Sequence, residues 1–565
     1  MAGKILIVGG VAGGASAAAR LRRLDEDAEI VLFERGKYIS FANCGLPYYI
    51  GHIIKNRDDL LVQTPEQFKA RFNIDVRINS EVTGIDRKHN QLSVKDLSSG
   101  NVYAEKYDKV ILSPGAEPAR PPIPGIESPR IFTLRNIPDA DAISKFIEER
   151  KPKRAVVVGG GYIGLEMAEN LRAQGLLVAI VEMLDQVIPV LDKEMANLLH
   201  EHLYGQSVAL WLRDAVAGFR ESDSKLFVDL KSGMKLRCDM AVLAIGVKPE
   251  TKLAKESGLE IGGTGGIKVN ENLQTSDPNI FAIGDAIEVQ NFVLKTTCLI
   301  PLAGPASKQG RIAADNICGR NVKYKGTQGT AILKVFELTV GMTGASEKDL
   351  KKAGIDYEKV YIHPANHVGY YPGAQQMHIK VLFSKPKGKV LGVQIIGKDG
   401  VDKRIDVFAT AVRAGMSVFD LQELELAYAP PYGSGKDPVN MAGYAAGNIL
   451  DGTALVKNFE HSDPNVLLLD VRSPSELEQG SIAGAVNIPV NQLRQRINEL
   501  PKNKTISAYC AVGIRSYIAA RILKQKGFDA NHIPGGYSTY LAMTGEEMLE
   551  GKTAQRLKDE FCTEF

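Results

Sequence analysis

Short apolar runs, each closing in glycine and followed by a helical pattern, set the rhythm of this chain. KILIVGG (4–10) reads as a strand entering a glycine turn, and the alanine-rich stretch through Arg23 reads as a helix. The same order returns in RAVVVGGGYIGLEMAENL (154–171). Each copy leads into a second apolar strand, AEIVLFERG (28–36) and LVAIVEML (177–184). TSDPNIFAIGDA (275–286) ends a further strand at Gly284-Asp285. After residue 450 the character changes. NVLLLDVRS (465–473) is a strand, and TISAYCAVGIRSYIAARILKQKG (505–527) is a strand, a loop and an amphipathic helix. Alternating strands and helices of this kind predict an α/β protein.

A chain of 565 residues is too long for one core, and a norm of about 150 residues per domain suggests about four domains. The near balance of 69 basic and 66 acidic residues argues against a bulk nucleic-acid or membrane-surface role. Six cysteines without regular spacing make no disulfide framework, which fits a reducing, cytoplasmic setting. The start, MAGKILIVGG, has no cleavable signal pattern, and no apolar run is long enough to span a bilayer. No metal-binding pattern is present: the HxxxH at 363–367 encloses Pro364, poor helix material.

The two glycine turns carry the first chemistry. Gly9 permits a tight turn and Gly14 close helix–strand packing, and the following helix offers free N–H groups to a pyrophosphate. Val11 stands where the usual finger has its second glycine. The second copy is complete, with Gly159, Gly161 and Gly164. Glu34 and Glu182 end the strands that follow, where a ribose hydroxyl is expected. A carboxylate at Glu182 accepts from a 2′-hydroxyl and repels a 2′-phosphate, which favours NADH over NADPH.

These motifs, in this order, resemble the FAD- and NAD(P)-dependent pyridine nucleotide–disulfide oxidoreductases over about residues 1–450. VILSPGAEP (110–118) and MAVLAIGVKPE (240–250) are similar to that family's crossover strands. The resemblance implies two Rossmann-like nucleotide-binding domains: a discontinuous FAD-binding domain (1–118 and 251–325) and an NADH-binding domain (119–250). It also implies an α+β dimerisation domain (326–450). The FAD contacts it implies are Gly9, Val11, Ala12, Gly13, Gly14, Glu34, Arg35, Pro114, Gly115, Gly284 and Asp285, the last on the ribityl chain. For NADH it implies Gly159, Gly161, Tyr162, Ile163, Gly164 and Glu182.

Cys44 stands alone in SFANCGLPYY (40–49), because Tyr49 occupies the place of a second cysteine. This context resembles the single-cysteine branch of the family, the coenzyme A-disulfide reductases, NADH oxidases and NADH peroxidases. In that branch the cysteine cycles as a mixed disulfide with a bound thiol or as a sulfenic acid. Gly45 and Pro47 suggest a helix starting just after Cys44, and a helix N-terminus would lower the thiol pKa. For coenzyme A the resemblance implies Ser40, Asn43 and Arg71, with Arg20 and Arg23 on one face of the first helix for the phosphates. It adds Tyr370, Tyr428 and Lys436 from a partner subunit, with Tyr371 and Tyr432 as adjacent rivals, and so implies a homodimer with shared active sites. Cys238, Cys298 and Cys318 match no motif and read as structural; Cys562 reads as a thiol in a disordered tail.

The segment 465–489, with Asp470, Arg472, Glu476 and Gly480, resembles the rhodanese signature and implies a C-terminal α/β rhodanese domain (455–550). Its loop runs from Cys510 to Arg515, one residue shorter than in C-x5-R phosphatases, which suits a sulfane sulfur better than phosphate. IPGGYSTY (533–540) completes the pattern. Together the resemblances imply an FAD- and NADH-dependent reductase of coenzyme A disulfide, coenzyme A persulfide or polysulfide. Cys44 and the pair Cys510/Arg515 are its expected catalytic residues, with sulfane sulfur transfer at Cys510. The alternatives are an NADH oxidase or peroxidase with Cys44 as sulfenic acid, or a redox-sensing sulfur carrier.

Overall fold

The computed structural model describes residues 3–222, 225–457, 465–549 and 552–562. Residues 458–464, near the start of the expected rhodanese domain (455–550), and its expected last residue, 550, lie outside the described residues. The chain divides into two compact units: Met1–Met183 with Trp211–Gly329 and Asp559–Phe565, and Leu184–Leu210 with Thr330–Lys558.

In the first unit a parallel sheet has the strand order Ile280–Ala282, Lys109–Leu112, Lys4–Val8, Glu29–Phe33, Asp75–Arg77. Its four strands other than the edge strand Asp75–Arg77 are largely buried, so they read in sequence as nearly unbroken apolar runs and do not alternate. The helix Ala12–Leu24 follows the first strand and crosses Ala303–Ile317 closely; a Cβ at Gly310 would lie 2.5 Å from the Gly13 carbonyl oxygen. A second parallel sheet repeats the plan, with Arg154–Val158 between Leu177–Val181 and Met240–Leu243. The short antiparallel pair Ala116–Pro118 and Val247–Pro249 forms the two crossovers.

Cys562 does not lie in a loose tail, a correction to the sequence reading. The Phe561 carbonyl accepts from the Arg237 N–H at 2.8 Å, the Phe561 ring meets Trp211 edge-on at 5.9 Å, and Cys562 bridges to Leu236. Backbone pairing and an aromatic contact hold residues that hydrophilic local sequence had placed in solvent. Cys238 is fully buried, and burial raises its thiol far above the ordinary range, in keeping with a structural role.

The second unit holds an antiparallel sheet ordered Ala331–Val335, Leu338–Gly344, Val390–Gly397, Met377–Ser384, Tyr357–Ile362, with the helix Val401–Ala414 packed on it. Lys380 is fully buried there among Asp192, Glu194 and Glu347; its Nζ lies 2.8 Å from Asp192 and contacts the other two carboxylates. Residues 505–509 and their neighbours form a separate parallel sheet ordered Val486–Asn487, Val466–Asp470, Thr505–Tyr509, Ala530–His532. His363, just past the strand Tyr357–Ile362, meets His378 at 2.9 Å and Thr539 at 2.9 Å.

Candidate active sites

Both glycine fingers fold as their sequences demand. Gly9 and Gly159 have φ of +96° and +108°, a region closed to most side chains. A Cβ at Gly14 would sit 1.9 Å from the Gly9 carbonyl oxygen, and one at Gly164 would sit 2.0 Å from that of Gly159. No side chain caps the helix Ala12–Leu24 or Tyr162–Ala173, so both N-termini keep backbone donors for an anion. Space around Gly161 is open: a Cβ there would meet nothing within 4 Å. At each finger the following acidic residue braces the turn: Glu34 accepts the Gly10 N–H at 2.9 Å, and Glu182 accepts the Gly160 N–H at 2.7 Å. Val11, Ala12, Gly13, Tyr162 and Ile163 lie at these two helix starts. The fingers therefore fit two dinucleotides, by the donors and the clearance that phosphates need.

Arg35 is held by ion pairs within its unit. It pairs with Glu250 at 2.6 Å and Glu117 at 3.1 Å, joining the end of its strand to the crossover pair. Pro114 and Gly115 lie between the strand Lys109–Leu112 and that pair, with Gly115 at φ +77°. Gly284 begins a short turn that presents Asp285, and the Gly284 N–H is held by Gln309 at 2.7 Å. Burial pushes the Asp285 carboxyl above its ordinary value, with Arg135 opposing the rise.

Cys44 lies in a single tight turn, Asn43–Gly45, and the helix after it, Leu46–Ile50, is only five residues long. The residue is exposed by its surface area, yet enough protein surrounds its sulfur to disfavour charge. That partial burial, then the Glu166 and Asp285 carboxylates, push the thiol above its ordinary value. The expected lowering by a helix N-terminus is therefore outweighed. Glu166, on the second finger's helix, is itself pushed up to about 7 by burial and reaches Tyr48 Oη at 3.5 Å.

A cavity of about 410 Å³ opens among the helices Ala12–Leu24, Pro65–Phe72 and Ala303–Ile317. Arg20, Arg23, Arg71, Arg311, Ser40 and Gln63 line it. The structure separates two arginines that spacing had paired: Asp315 holds Arg20 at 2.7 Å, while Arg23 is exposed. Ser40 has φ +44°, and its backbone is fixed by hydrogen bonds from its N–H to Gly10 and from Val62 to its carbonyl. Such strain in a serine persists only where the surroundings dictate it. Asn43 is exposed, its amide 3.4 Å from the Arg135 carbonyl.

In the second unit Tyr370 and Tyr428 stand out, 75% and 48% exposed, with their hydroxyls 2.9 Å apart. Tyr371 instead packs edge-on against His367. Buried Arg404 ties the two tyrosine segments together through the Asn366 carbonyl and Asp437, both at 2.9 Å. Lys436 is exposed beside that anchor.

Cys510 follows the strand Thr505–Tyr509 directly, and the Gly513 N–H donates to its sulfur at 3.1 Å. Arg515 makes a bidentate pair with Glu476, both contacts at 2.6 Å. Arg472 is buried against Asp470 at 2.6 Å and donates to the Gly480 carbonyl at 2.9 Å, which accounts for all four signature residues.

Residues 3–310 match the family of pyridine nucleotide-disulphide oxidoreductases, 330–436 the dimerisation domain of that family, and 454–543 a rhodanese-like domain. The chain belongs to the pyridine nucleotide-disulphide oxidoreductase family. This family member is thus built of two Rossmann-like nucleotide-binding domains, an α+β dimerisation domain and a C-terminal α/β rhodanese domain. It is 38% identical over 444 residues, 78% of this chain and 99% of the other, to the coenzyme A disulfide reductase of Staphylococcus haemolyticus. The structure of reduced Bacillus anthracis CoADR-RHD is similar with a TM-score of 0.94 and 52% identity, covering 96% of this chain and 98% of that one. An NAD-dependent persulfide reductase from A. fulgidus is similar with a TM-score of 0.90 and 38% identity, covering 95% and 100%.

Two residues of this oxidoreductase site escaped the sequence. Arg311 reaches the cavity from Ala303–Ile317, and Glu166 acts on Cys44 from Tyr162–Ala173. Arg311 belongs to no local motif, and Glu166, though inside the stretch 154–171, has no motif role that points to Cys44. The amphipathic register of each helix is the one signal that bears on them, and it does not say which distant segment a polar residue meets.

Proposed function

We propose that this chain is an NADH-dependent, FAD-containing reductase of coenzyme A disulfide, coenzyme A persulfide or polysulfide, joined to a sulfurtransferase. The observation that carries the reading is the arginine-lined cavity reaching to Ser40, four residues before a lone, accessible cysteine. A ligand with phosphates at one end and a thiol at the other suits that layout. Oxygen or peroxide, the substrates of the oxidase and peroxidase reading, would leave Arg23, Arg71 and Arg311 without a use.

The first finger, with Gly9 through Gly14, Glu34 and Asp285, holds FAD, and the second, with Gly159 through Gly164 and Glu182, holds NADH. FAD supplies a two-electron path between nicotinamide and Cys44. Cys44 does the sulfur chemistry. Its thiolate attacks the coenzyme A-bound sulfur of a persulfide, forms a mixed disulfide and releases hydrosulfide; with coenzyme A disulfide the leaving group is coenzyme A thiolate. Two electrons then reopen the mixed disulfide. Glu166 and Asp285 oppose thiolate, so they favour the disulfide-bonded resting form. Tyr370, Tyr428 and Lys436 complete the coenzyme A site of a partner subunit in a homodimer. The corresponding domain limits are 1–118 with 251–325 for FAD, 119–250 for NADH, 326–450 for dimerisation and 455–550 for rhodanese.

The test is NADH consumption across coenzyme A disulfide, coenzyme A persulfide, polysulfide, oxygen and peroxide, with Cys44→Ser beside the unmodified protein. Turnover with the sulfur substrates that disappears in Cys44→Ser, while flavin content is kept, is the expected result. Turnover with oxygen or peroxide alone would replace this reading by the oxidase or peroxidase one.

A further inference from the structure

The charges around Cys510 stand in pairs, and Arg515 also interacts with the cysteine itself. Arg515 is held by both oxygens of Glu476, and Glu476 also accepts the Ser473 N–H at 3.0 Å. Pairing with Arg515 lowers the Glu476 carboxyl to about 2, so it stays ionised at neutral pH. Arg472 is spent on Asp470, with the Tyr537 ring 4.3 Å from its guanidinium. The loop side chains between Cys510 and Arg515 are Ala511, Val512 and Ile514, with Gly513, and none is charged. A thiolate at Cys510 therefore leaves it, Arg515, Glu476, Arg472 and Asp470 together at net −1. On the helix Ile514–Gln525 that follows the loop, Ile514 and Ile518, one turn apart, are apolar and 58% and 42% exposed.

These features together decide what the loop admits. Thiosulfate brings two negative charges to a site whose arginines already have partners, and no loop side chain compensates them. A sulfane sulfur at the end of an uncharged chain meets no such penalty, and its methylenes cover Ile514 and Ile518. We propose that the Cys510 site takes sulfane sulfur from persulfides that present it on a neutral, apolar-walled arm, and that it discriminates against small anionic donors. This deepens the sulfurtransferase half of the proposed function and rests on it. The step is a displacement without net oxidation. The Cys510 thiolate attacks the outer sulfur of R–S–SH, the S–S bond breaks, R–S⁻ leaves with the electron pair, and Cys510 carries –S–SH. A nucleophilic acceptor such as cyanide then attacks that outer sulfur, leaves as thiocyanate and returns the cysteine.

The experiment uses the full-length protein and follows thiocyanate formation from cyanide with three donors: N-acetylcysteamine persulfide, mercaptoacetate persulfide and thiosulfate. The expected kcat/KM falls in that order, with the neutral donor at least tenfold above thiosulfate. Val512→Arg, which adds a cation to the loop, is expected to raise the ratio of kcat/KM for thiosulfate to that for the neutral donor roughly tenfold. Ala511→Lys repeats the test should Val512→Arg fail to fold. Cys510-dependent turnover of thiosulfate as fast as that of the neutral persulfide overturns the discrimination while sparing the sulfurtransferase. Thiocyanate formation that is the same in Cys510→Ser with every donor removes the sulfurtransferase itself.

Discussion

Glu182→Gln isolates one charge at the second finger. The carboxylate is buried and accepts the Gly160 N–H at 2.7 Å. A glutamine oxygen accepts the same bond, so the turn keeps its brace and the helix Tyr162–Ala173 its start. What changes is the face offered to the nucleotide ribose. A neutral acceptor for the 2′-hydroxyl of NADH is weaker than a charged one by roughly 1 kcal/mol. Removing a full charge near a 2′-phosphate relieves roughly 1–3 kcal/mol at an effective dielectric typical of a protein surface. The sum, roughly 2–4 kcal/mol, narrows the NADH-to-NADPH ratio of kcat/KM by about 30- to 1000-fold. Steady-state rates with each nucleotide, at fixed coenzyme A disulfide, read that ratio directly. Glu34→Gln is the control. It has the matching bond to Gly10 at 2.9 Å in the first finger, and it should leave the ratio where it was. Equal use of both nucleotides by the unmodified protein, or a ratio untouched in Glu182→Gln, refutes the assignment of selectivity to this carboxylate.

Three further outcomes follow from the same structure. Glu166→Gln removes the larger of the two carboxylate influences on Cys44, so the thiol pKa should fall; alkylation rate against pH measures it, and an unmoved or raised midpoint contradicts the electrostatic picture. Arg311→Ala should raise KM for coenzyme A disulfide about tenfold with KM for NADH unchanged, as removal of one phosphate contact predicts; equal effects on both would place Arg311 outside the substrate cavity. Burial lowers His363 to about 3 and His378 to about 4, so the unfolded chain binds more protons below its own histidine value near 6.5. Stability from these groups is complete above pH 6.5 and is lost as pH falls toward 4, by up to about 1.4 kcal/mol per pH unit for each. Urea midpoints at pH 7.5 and 5.0 should show the loss, and a His363→Asn, His378→Asn double variant with an undiminished pH difference would assign it elsewhere.

Local patterns carried the fold. The strand, glycine turn and helix of each finger are contiguous, so Gly9, Gly14, Gly159 and Gly164 announce their backbone geometry within a dozen residues. The rhodanese signature was legible for the same reason, since Asp470, Arg472, Glu476 and Gly480 bond to one another inside one short segment. Electrostatics were less legible. The turn at Cys44 suggested a stabilised thiolate, but the groups that decide its charge, Glu166 and Asp285, arrive from distant stretches of chain. Helical spacing likewise set Arg20 on the face that lines the cavity but did not announce its ion pair with the distant Asp315. Lys380 shows the limit most plainly. Nothing local to the strand Met377–Ser384 marks this lysine, and only long-range folding brings three carboxylates around it.

The pairing of Phe561 with Arg237 and Trp211 has a consequence for synthesis on the ribosome. Trp211 gains its aromatic cover only once Phe561, far along the chain from it, has been made. Residues 184–210, made early, likewise wait for 330–558 before Lys380 can neutralise Asp192 and Glu194. Neither unit is completed by one contiguous stretch of chain, so neither is a module that synthesis finishes before the other begins. A stop codon placed after residue 450, however neatly it trims away the rhodanese sequence, would also uncap the tryptophan of the reductase.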